Sequence, residues 1–182
     1  MARTNIVRAV AAMSAVALLL GALFYAAYAV SGLFGLPRSL GVPPAGRFVG
    51  ALLTAAGVAV ACWVFWYRSP IAMATSTCVT FTKLVRLVSI TKPSGRVEPL
   101  VVIGPQKYTR NPLYLGVILV TFGWALAGDD AFVLVGAVLL LFFLRLVLIP
   151  FEERELWALF GEQYRKYSDE VPMLIPFTKR KR

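Results

Sequence analysis

The most informative stretch of this chain is GPQKYTRNPLYLG, which covers residues 104–116. It is polar, it is punctuated by glycine and proline, and it lies between two strongly apolar regions. A second polar group follows near the C-terminus, where Glu152-Glu153 precedes the run FGEQYRKY at residues 160–167. We expect the two motifs to act together, because polar residues at the ends of apolar segments usually have a function.

The composition is that of a membrane protein. Of the 182 residues, 59% are hydrophobic and 15% are charged, whereas soluble domains hold about 45–50% and about 25%. The net charge is +10, and the basic residues flank the apolar runs. This placement favours attachment to anionic headgroups and argues against nucleic-acid binding. The length suits one membrane domain over residues 1–182.

Several kinds of chemistry lack their usual residues. The sequence has no histidine, which removes the commonest metal ligand and the commonest base near neutral pH. Cys62 and Cys78 do not match a metal or redox spacing. Gly-x-Gly does not occur, so the glycine-rich turn of doubly wound cofactor-binding folds is missing. We therefore expect no metal, and any cofactor site must be built from helices and their ends.

Four apolar runs predict four transmembrane helices, of which the first two lie within residues 1–67. The runs cover residues 6–30, 48–67, 113–127 and 132–149. A span needs about 20 residues, so the third run is short unless Asn111 caps it and Pro112 occupies its first position. Gly128-Asp129-Asp130 predicts a tight turn with Asp130 as the next cap, so the last two spans form an antiparallel hairpin.

The basic residues predict the orientation of these spans. The N-terminal tail, the second loop and the C-terminal segment together hold sixteen Lys and Arg residues, whereas the first loop and the hairpin turn hold two. We therefore expect an integral, multi-pass membrane protein with both termini in the cytoplasm. Residues 71–89 of the second loop mix apolar and basic side chains, which predicts an interfacial or re-entrant element.

The C-terminal region predicts a further helix. Pro150 ends or kinks the fourth span. An amphipathic helix is then predicted over residues 151–167, with Glu155 on its polar side. Its apolar stripe recurs at spacings of four, four and three and comprises Leu156, Phe160, Tyr164 and Tyr167. The predicted fold class is thus all-α: a polytopic membrane helix bundle of about four transmembrane helices with a C-terminal amphipathic interfacial helix.

The two motifs are predicted to meet at one end of the hairpin. Asn111 lies 18 residues before Asp129, and Glu152 lies 22 residues after Asp130. At a rise of about 1.5 Å per residue, these positions lie at depths of roughly 27 and 33 Å, about one helical turn apart. One ligand at this end of the hairpin can therefore touch both motifs.

Arg145 interrupts the fourth apolar run. A charge inside a span usually faces a partner or a cavity. Arg145 lies seven residues before Glu152, hence on the same face of a regular helix. It therefore either snorkels to the interface, pairs with Glu152, or contacts a substrate or cofactor.

Together these motifs resemble those of the isoprenylcysteine carboxyl methyltransferase and phospholipid methyltransferase superfamily. Its pattern reads Gly-Pro-Tyr-Arg-Tyr-x-Arg-His/Asn-Pro-x-Tyr-x-Gly before a helical hairpin, then Glu-Glu, Phe-Gly and Tyr-x-x-Tyr, and the match covers about residues 97–176. Gln106 replaces the usual tyrosine, and Asn111 stands where many members have histidine. The matching positions are Gly104, Pro105, Tyr108, Arg110, Pro112, Tyr114, Gly116, Glu152, Glu153, Phe160, Gly161, Tyr164, Tyr167, Val171 and Pro172.

The resemblance implies a membrane methyltransferase that uses S-adenosylmethionine on a lipid or lipid-modified acceptor. For catalysis we expect Arg145 to hold a carboxylate acceptor, and Glu152 to act as a base if the acceptor is an amine. Carried over residue by residue, the implied cofactor contacts are Gln106, Tyr108, Asn111, Tyr114, Leu115, Glu152 and Glu153.

Three functional hypotheses stay open at this point. The leading one is carboxyl O-methylation of an isoprenylcysteine-type substrate, as in protein-S-isoprenylcysteine O-methyltransferases. The second is N-methylation of an ethanolamine-type phospholipid. The third, from a different class, is a membrane scaffold or transporter without enzymatic activity. Residues of the variable spans and loop determine the acceptor, so the motifs do not choose among these hypotheses.

Overall fold

The computed structural model describes Ser14, Leu18, Met73 and residues 21–35, 37–69 and 100–178. These residues form helices and no strand, apart from an isolated bridge between Ser39 and Asp130. The predicted all-α class is thus confirmed for the described part of the chain. The elements are α1 (Gly21–Leu33), α2 (Pro44–Tyr67), a 3₁₀ turn (Gly104–Lys107), α3 (Pro112–Ala127), α4 (Ala131–Phe160) and α5 (Glu162–Glu170).

Two helices, α2 and α4, are long and apolar enough to cross a membrane. Helices α1 and α3 are apolar but shorter, so the count of four spans stays a prediction. The first predicted span, residues 6–30, lies mostly outside the described residues. The same holds for the predicted interfacial element at residues 71–89, of which Met73 alone is described.

Helices α2 and α3 pack along a seam of glycines. A Cβ added at Gly57 would lie 2.6 Å from the carbonyl oxygen of Gly116, and one at Gly123 would lie 2.5 Å from the backbone nitrogen of Thr54. Carbon atoms do not approach so closely, so small residues alone allow these backbones to touch. Gly50 and Gly57 are seven residues apart, as are the two glycines of α3, which keeps each pair on one helix face.

The turn between α3 and α4 holds the loop that precedes α2. As predicted, Asp130 caps α4, because its side chain accepts from the backbone nitrogen of Val133 at 3.1 Å. Asp129 has a positive φ of 55°, and its carboxylate accepts hydrogen bonds from four donors in and after the loop that precedes α2. We call this carboxylate and its donors the Asp129 clamp. The donors are Ser39 Oγ at 2.6 Å, Leu40 N at 3.0 Å, Val42 N at 2.9 Å and Arg47 Nη2 at 2.9 Å.

Helix α4 runs without a break through Pro150, so the proline does not end it. Residues Leu144–Leu148 form a π-helical turn just before this proline. A π turn inserts one extra residue into a helix, and it interrupts the regular ladder next to a residue that has no N–H to donate. Each side chain after Leu148 therefore faces the direction that the preceding residue would face in a regular helix.

The predicted amphipathic helix over residues 151–167 is wrong as a single element. Gly161 has a φ of 48°, which ends α4 at Phe160 and lets α5 begin at Glu162. Glycine adopts this left-handed conformation without steric cost and commonly ends helices there. Glu155, predicted on the polar side, is 2% exposed, because the π turn and the break at Gly161 reorient this part of the chain.

Candidate functional site

The segment 104–111 leads into α3 and packs against the end of α2. Gly104 has a φ of 61°, and a Cβ at this position would lie 2.6 Å from the ring of Tyr67. Both the left-handed backbone and this close contact require glycine. The 3₁₀ turn that follows buries Pro105 and Gln106, so the motif begins inside the protein rather than on a free loop.

The motif is then fixed by the backbone of residues 171–178, which we call the C-terminal strap. The backbone nitrogen of Arg110 donates to the carbonyl oxygen of Pro172 at 2.9 Å. The hydroxyl of Thr109, which is 3% exposed, donates to the carbonyl oxygen of Met173 at 3.2 Å. Backbone and side-chain donors of the motif thus bind to two neighbouring carbonyl oxygens of the strap, those of Pro172 and Met173.

Asn111 occupies the N-cap position of α3, as predicted, with Pro112 at the start of the helix. Its side chain does not accept a capping hydrogen bond from the helix. Instead its Nδ2 donates to the carbonyl oxygen of Met173 at 2.9 Å. Asn111 therefore connects α3 to the strap.

A buried ion pair lies beside the strap. Arg110 Nη2 is 2.9 Å from Glu153 Oε1, and the two side chains are 8% and 15% exposed. The other guanidinium nitrogen, Nη1, donates to the carbonyl oxygen of Ser168 in α5 at 3.0 Å. One guanidinium therefore joins the motif, α4 and α5.

A cavity of about 510 Å³ opens beside this pair. Its wall carries side chains of both signs, together with Trp157 and residues of the strap. The charged lining residues are Arg110, Arg145, Arg165, Glu153, Asp169 and Glu170. Volumes of about 300–1,000 Å³ are typical of small-molecule sites, so the cavity has the size and the polarity of a site for a charged ligand.

Arg145 lies in the π turn of α4 and lines this cavity. On α4 it shares the wall with Glu153, eight residues later, whereas Glu152 is not among the lining residues. The prediction counted seven residues on a regular helix and therefore placed Glu152 below Arg145. The π turn adds one residue and brings Glu153 to that face instead.

Two tyrosines of α5 lie behind the ion pair. Tyr164 is fully buried, and the hydroxyl of Tyr167 donates to the backbone oxygen of Gln106 at 2.8 Å. Burial raises the pKa of both phenols well above the usual value, and the negative charge of Glu153 acts in the same direction. Both phenols are therefore neutral over the physiological pH range, so Tyr167 keeps its donor proton.

Gln106 is a buried polar residue with an unused acceptor. The residue is 4% exposed, and its Oε1 has no hydrogen-bond partner in the described structure. Leaving such an atom unpaired costs about 1–3 kcal/mol. A ligand that brings a donor to this oxygen would recover that energy.

The other predicted cofactor contacts lie elsewhere on the same end of the hairpin. Tyr108 is 45% exposed and stacks between the rings of Trp63 and Phe177. Tyr114 is half-buried and packs on the core of α4, and Leu115 is also half-buried. None of these three side chains lines the cavity described above, and neither do Gln106 and Asn111.

Sequence reasoning missed two features of the site. Arg110 is part of the matching motif but was not among the predicted site residues. Its position between two apolar regions was a signal that it has a partner. Sequence reasoning also missed the strap, because Pro172 and Met173 contribute through backbone carbonyls, which no side-chain pattern reveals. No group of three or more His, Cys, Asp or Glu residues suited to hold a metal occurs among the described residues.

Comparison with known sequences identifies the class to which this site belongs. The phospholipid methyltransferase family matches residues 46–163, which is more than half of the chain and includes α2, the motif, α3 and α4. The chain belongs to this family of membrane methyltransferases.

Three relatives share parts of the chain, and all are named methanethiol S-methyltransferases. The one from Crocosphaera subtropica is 40% identical over 75 residues, which is 41% of this chain and 28% of that protein. The one from Bradyrhizobium diazoefficiens is 41% identical over 73 residues, covering 40% and 25%. The one from Mycobacterium tuberculosis is 33% identical over 127 residues, covering 66% and 50%. The matched region thus spans between a quarter and a half of these relatives, and no solved structure matches the chain.

Proposed function

We propose that this protein transfers a methyl group from S-adenosylmethionine to an anionic acceptor at the motif end of the α3–α4 hairpin, the end where Asn111 and Glu153 lie. One observation carries the proposal. Arg110 of the motif, Arg145 of the π turn and Glu153 of α4 meet on the wall of one cavity. The basic residues predict that this end faces the cytoplasm, where the cofactor is available.

The side chains at this end suit the cofactor. S-adenosylmethionine presents a sulfonium, an ammonium, a carboxylate and ribose hydroxyls, so it needs partners of both signs. Glu153 suits a cationic group, Arg110 suits the carboxylate, and Gln106 offers its unused buried oxygen to a donor. When bound, the cofactor supplies an already activated methyl group. Arg110 joins the predicted contacts, which are Gln106, Tyr108, Asn111, Tyr114, Leu115, Glu152 and Glu153.

Arg145 is the residue that we assign to the acceptor. Its planar guanidinium suits a carboxylate through two hydrogen bonds. Beside a thiol it would lower the thiol pKa, so that the thiol gives its proton to water. The thiolate sulfur would then take the methyl group as the bond between that methyl and the sulfonium sulfur breaks and S-adenosylhomocysteine leaves. The cavity wall carries three arginines and three acidic residues, so the assignment of an anionic acceptor rests on the position of Arg145 and not on the net charge of the wall. An anionic acceptor needs no base, so the chain's own task is to orient the acceptor and exclude water.

A small apolar thiol is the acceptor that we favour. The three relatives carry the name methanethiol S-methyltransferase, and this shared name is the reason for preferring a thiol. The carboxylate of an isoprenylcysteine-type substrate uses the same arginine and is the second candidate. An ethanolamine-type phospholipid is the third, and it would require Glu152 to remove a proton first.

The test begins with cofactor binding by the purified protein. We expect calorimetry to detect S-adenosylmethionine binding, and methyl transfer from labelled cofactor to be faster to methanethiol than to an S-farnesylcysteine derivative or to phosphatidylethanolamine. Absence of cofactor binding would favour the scaffold or transporter hypothesis. Transfer to the phospholipid alone would reject an anionic acceptor.

A matched pair of variants tests the role of Arg145. Arg145→Leu removes the guanidinium from the cavity wall, whereas Arg154→Leu removes an exposed arginine of the same helix that does not line the cavity. We expect the first variant to lose most methyl transfer while keeping cofactor affinity, and the second to retain both. Full transfer by Arg145→Leu would remove Arg145 from the acceptor site.

A further inference from the structure

A row of aromatic rings lies at the same end of the molecule, outside the lining of the cavity. The row begins with Trp63 of α2, continues with Tyr108 of the motif and ends with Phe177 of the strap. Ring centroids are separated by 5.8 Å between Trp63 and Tyr108 and by 5.9 Å between Tyr108 and Phe177. The row therefore connects a candidate membrane span, the motif and the strap.

Much of this region is apolar and exposed. Phe177 is 82% exposed, Ile175 of the strap is 63% exposed, and Trp66 in the last turn of α2 is 87% exposed. The hydroxyl of Thr178 donates to the carbonyl oxygen of Ile175 at 2.7 Å, which closes a turn at the tip of the strap. Exposed apolar side chains around a row of touching rings mark an interaction surface.

The position of this surface indicates what covers it. Helix α2 is apolar enough to cross a membrane, and Trp66 and Tyr67 stand at its end. Tryptophan and tyrosine at the ends of spans lie at the level of the lipid headgroups. The strap therefore lies beside the interface of the bilayer that α2 crosses.

The charge of the sequence indicates which lipids are favoured. The strap is followed by Lys179-Arg180-Lys181-Arg182, and the whole chain has a net charge of +10. Basic residues near an anionic membrane surface are attracted to its negative potential. Exposed apolar side chains are one signal for membrane attachment, and a basic run is a second. Together the two signals give stable attachment to a membrane surface.

We propose that the C-terminal strap is a membrane-surface anchor, in which Ile175 and Phe177 insert beside Trp66 into the headgroup region of an anionic bilayer. The same strap holds the motif through the carbonyl oxygens of Pro172 and Met173. Attachment of the strap to lipid therefore stabilises the motif. This inference goes beyond the proposed methyl transfer, and neither depends on the other.

The anchor is tested with an environment-sensitive fluorophore on a single cysteine. In a Cys62→Ser, Cys78→Ser background, the label is placed at Ile175→Cys or, as a control, at Gln163→Cys, an exposed site of α5. In phosphatidylcholine bilayers that contain phosphatidylglycerol, we expect a blue shift and quenching by headgroup-level spin labels at residue 175, with solvent-like emission at residue 163. Adding Phe177→Asp should abolish the shift.

Two results would overturn the anchor. One is solvent-like emission at residue 175 in these bilayers. The other is efficient cross-linking of two copies through residue 175, which would show that a second copy covers the surface instead of lipid.

The coupling to the motif has its own readout, which does not depend on activity. The backbone N–H of Arg110 is bonded to Pro172, so its hydrogen exchange reports whether the strap is in place. We expect slower exchange over residues 109–111 when phosphatidylglycerol is present, and loss of this protection in Phe177→Asp. Equal exchange with and without the anionic lipid would reject the coupling, whatever the enzymatic assays show.

Discussion

The two ends of the α3–α4 hairpin hold their charges in opposite ways. At the turn end, the Asp129 clamp satisfies one carboxylate with three donors from the loop before α2 and a fourth from Arg47 of α2. At the motif end, Arg110 and Glu153 pair beside an open cavity, and a buried oxygen of Gln106 stays unsatisfied. The carboxylate at the first end has all its partners within the protein, whereas the second end keeps a buried acceptor without a partner beside an open cavity.

This difference separates a structural role from a functional one. The Asp129 clamp takes its donors from residues next to one connection, the one between α1 and α2. It fixes that connection and needs no further hydrogen-bond partner. An ion pair that joins three elements around a cavity is rigid enough to position a ligand, yet it leaves one side open. A charged group does not by itself mark a functional site. The informative property is whether the polar groups around it have all their hydrogen-bond partners.

The largest effect is expected from breaking the buried pair. Arg110→Leu leaves Glu153 without its partner, and loss of one partner of a buried ion pair costs about 3–5 kcal/mol. It also removes the hydrogen bond to Ser168. We expect thermal unfolding at a much lower temperature and no detectable S-adenosylmethionine binding by calorimetry.

A conservative variant keeps this prediction testable if Arg110→Leu does not fold. Arg110→Lys retains the charge but loses the planar fork that reaches two partners. It should fold and bind the cofactor weakly. If Arg110→Lys bound the cofactor as tightly as the natural protein, the pair would belong to the fold alone and the contrast between the two ends would fail.

The second prediction tests the glycine seam, which holds α2 against α3 between the two ends. Gly57→Ala places a Cβ 2.6 Å from the carbonyl oxygen of Gly116, and overpacking of this kind costs about 1–3 kcal/mol. Gly32→Ala is the matched control, because a Cβ there meets nothing within 4 Å. We expect thermal unfolding to show a loss of stability only for Gly57→Ala; equal stability in both would disprove close packing at the seam.

Much of the fold was predictable because it depends on local rules. Asp130 was expected to cap α4, and it does. The antiparallel hairpin and the meeting of the two motifs at one end followed from counting residues along regular helices. Such counts succeed as long as the helix stays regular.

The errors arose where that assumption failed. The π turn at Leu144–Leu148 leaves no periodic signal in an apolar run, so Glu152 was placed where Glu153 lies. The break at Gly161 depends on one backbone angle. The strap acts through carbonyl groups that every residue has. Local patterns thus predicted the two motifs, but not the one-residue shift that selects which glutamate faces the cavity.

A third prediction concerns the turn end and its pH dependence. The Ser39 hydroxyl, then the other clamp donors, hold the pKa of Asp129 below its usual value. A carboxyl with a lowered folded pKa stabilises the protein above its unfolded pKa of about 3.9, and this contribution is lost as the pH falls through the lower folded value. Asp129→Asn should therefore lower the unfolding temperature at neutral pH and weaken its acid dependence.

The Asp129→Asn variant also tests whether the two ends of the hairpin are independent of each other. Because Asp129 stands at the far end of the hairpin, we expect Asp129→Asn to bind S-adenosylmethionine with unchanged affinity. Glu162→Gln, at an exposed site of α5 that does not line the cavity, is the control for removing one charge. A large loss of cofactor affinity in Asp129→Asn alone would mean that the two ends are coupled through the hairpin.

The smallest effect is expected from Tyr167→Phe, which removes one hydroxyl at the motif end. That hydroxyl donates to the backbone oxygen of Gln106 at 2.8 Å, and such a bond contributes about 0.5–1.5 kcal/mol. Burial raises the pKa of Tyr167, so the phenol is neutral and its stabilisation is present below about pH 10, then lost as the pH rises through the folded value. The stability difference between the two proteins should thus be constant between about pH 6 and about pH 9. Because Gln106 is a proposed cofactor contact, affinity should fall by no more than about tenfold; an unchanged affinity together with the stability loss would show that the hydroxyl supports the fold and not the site.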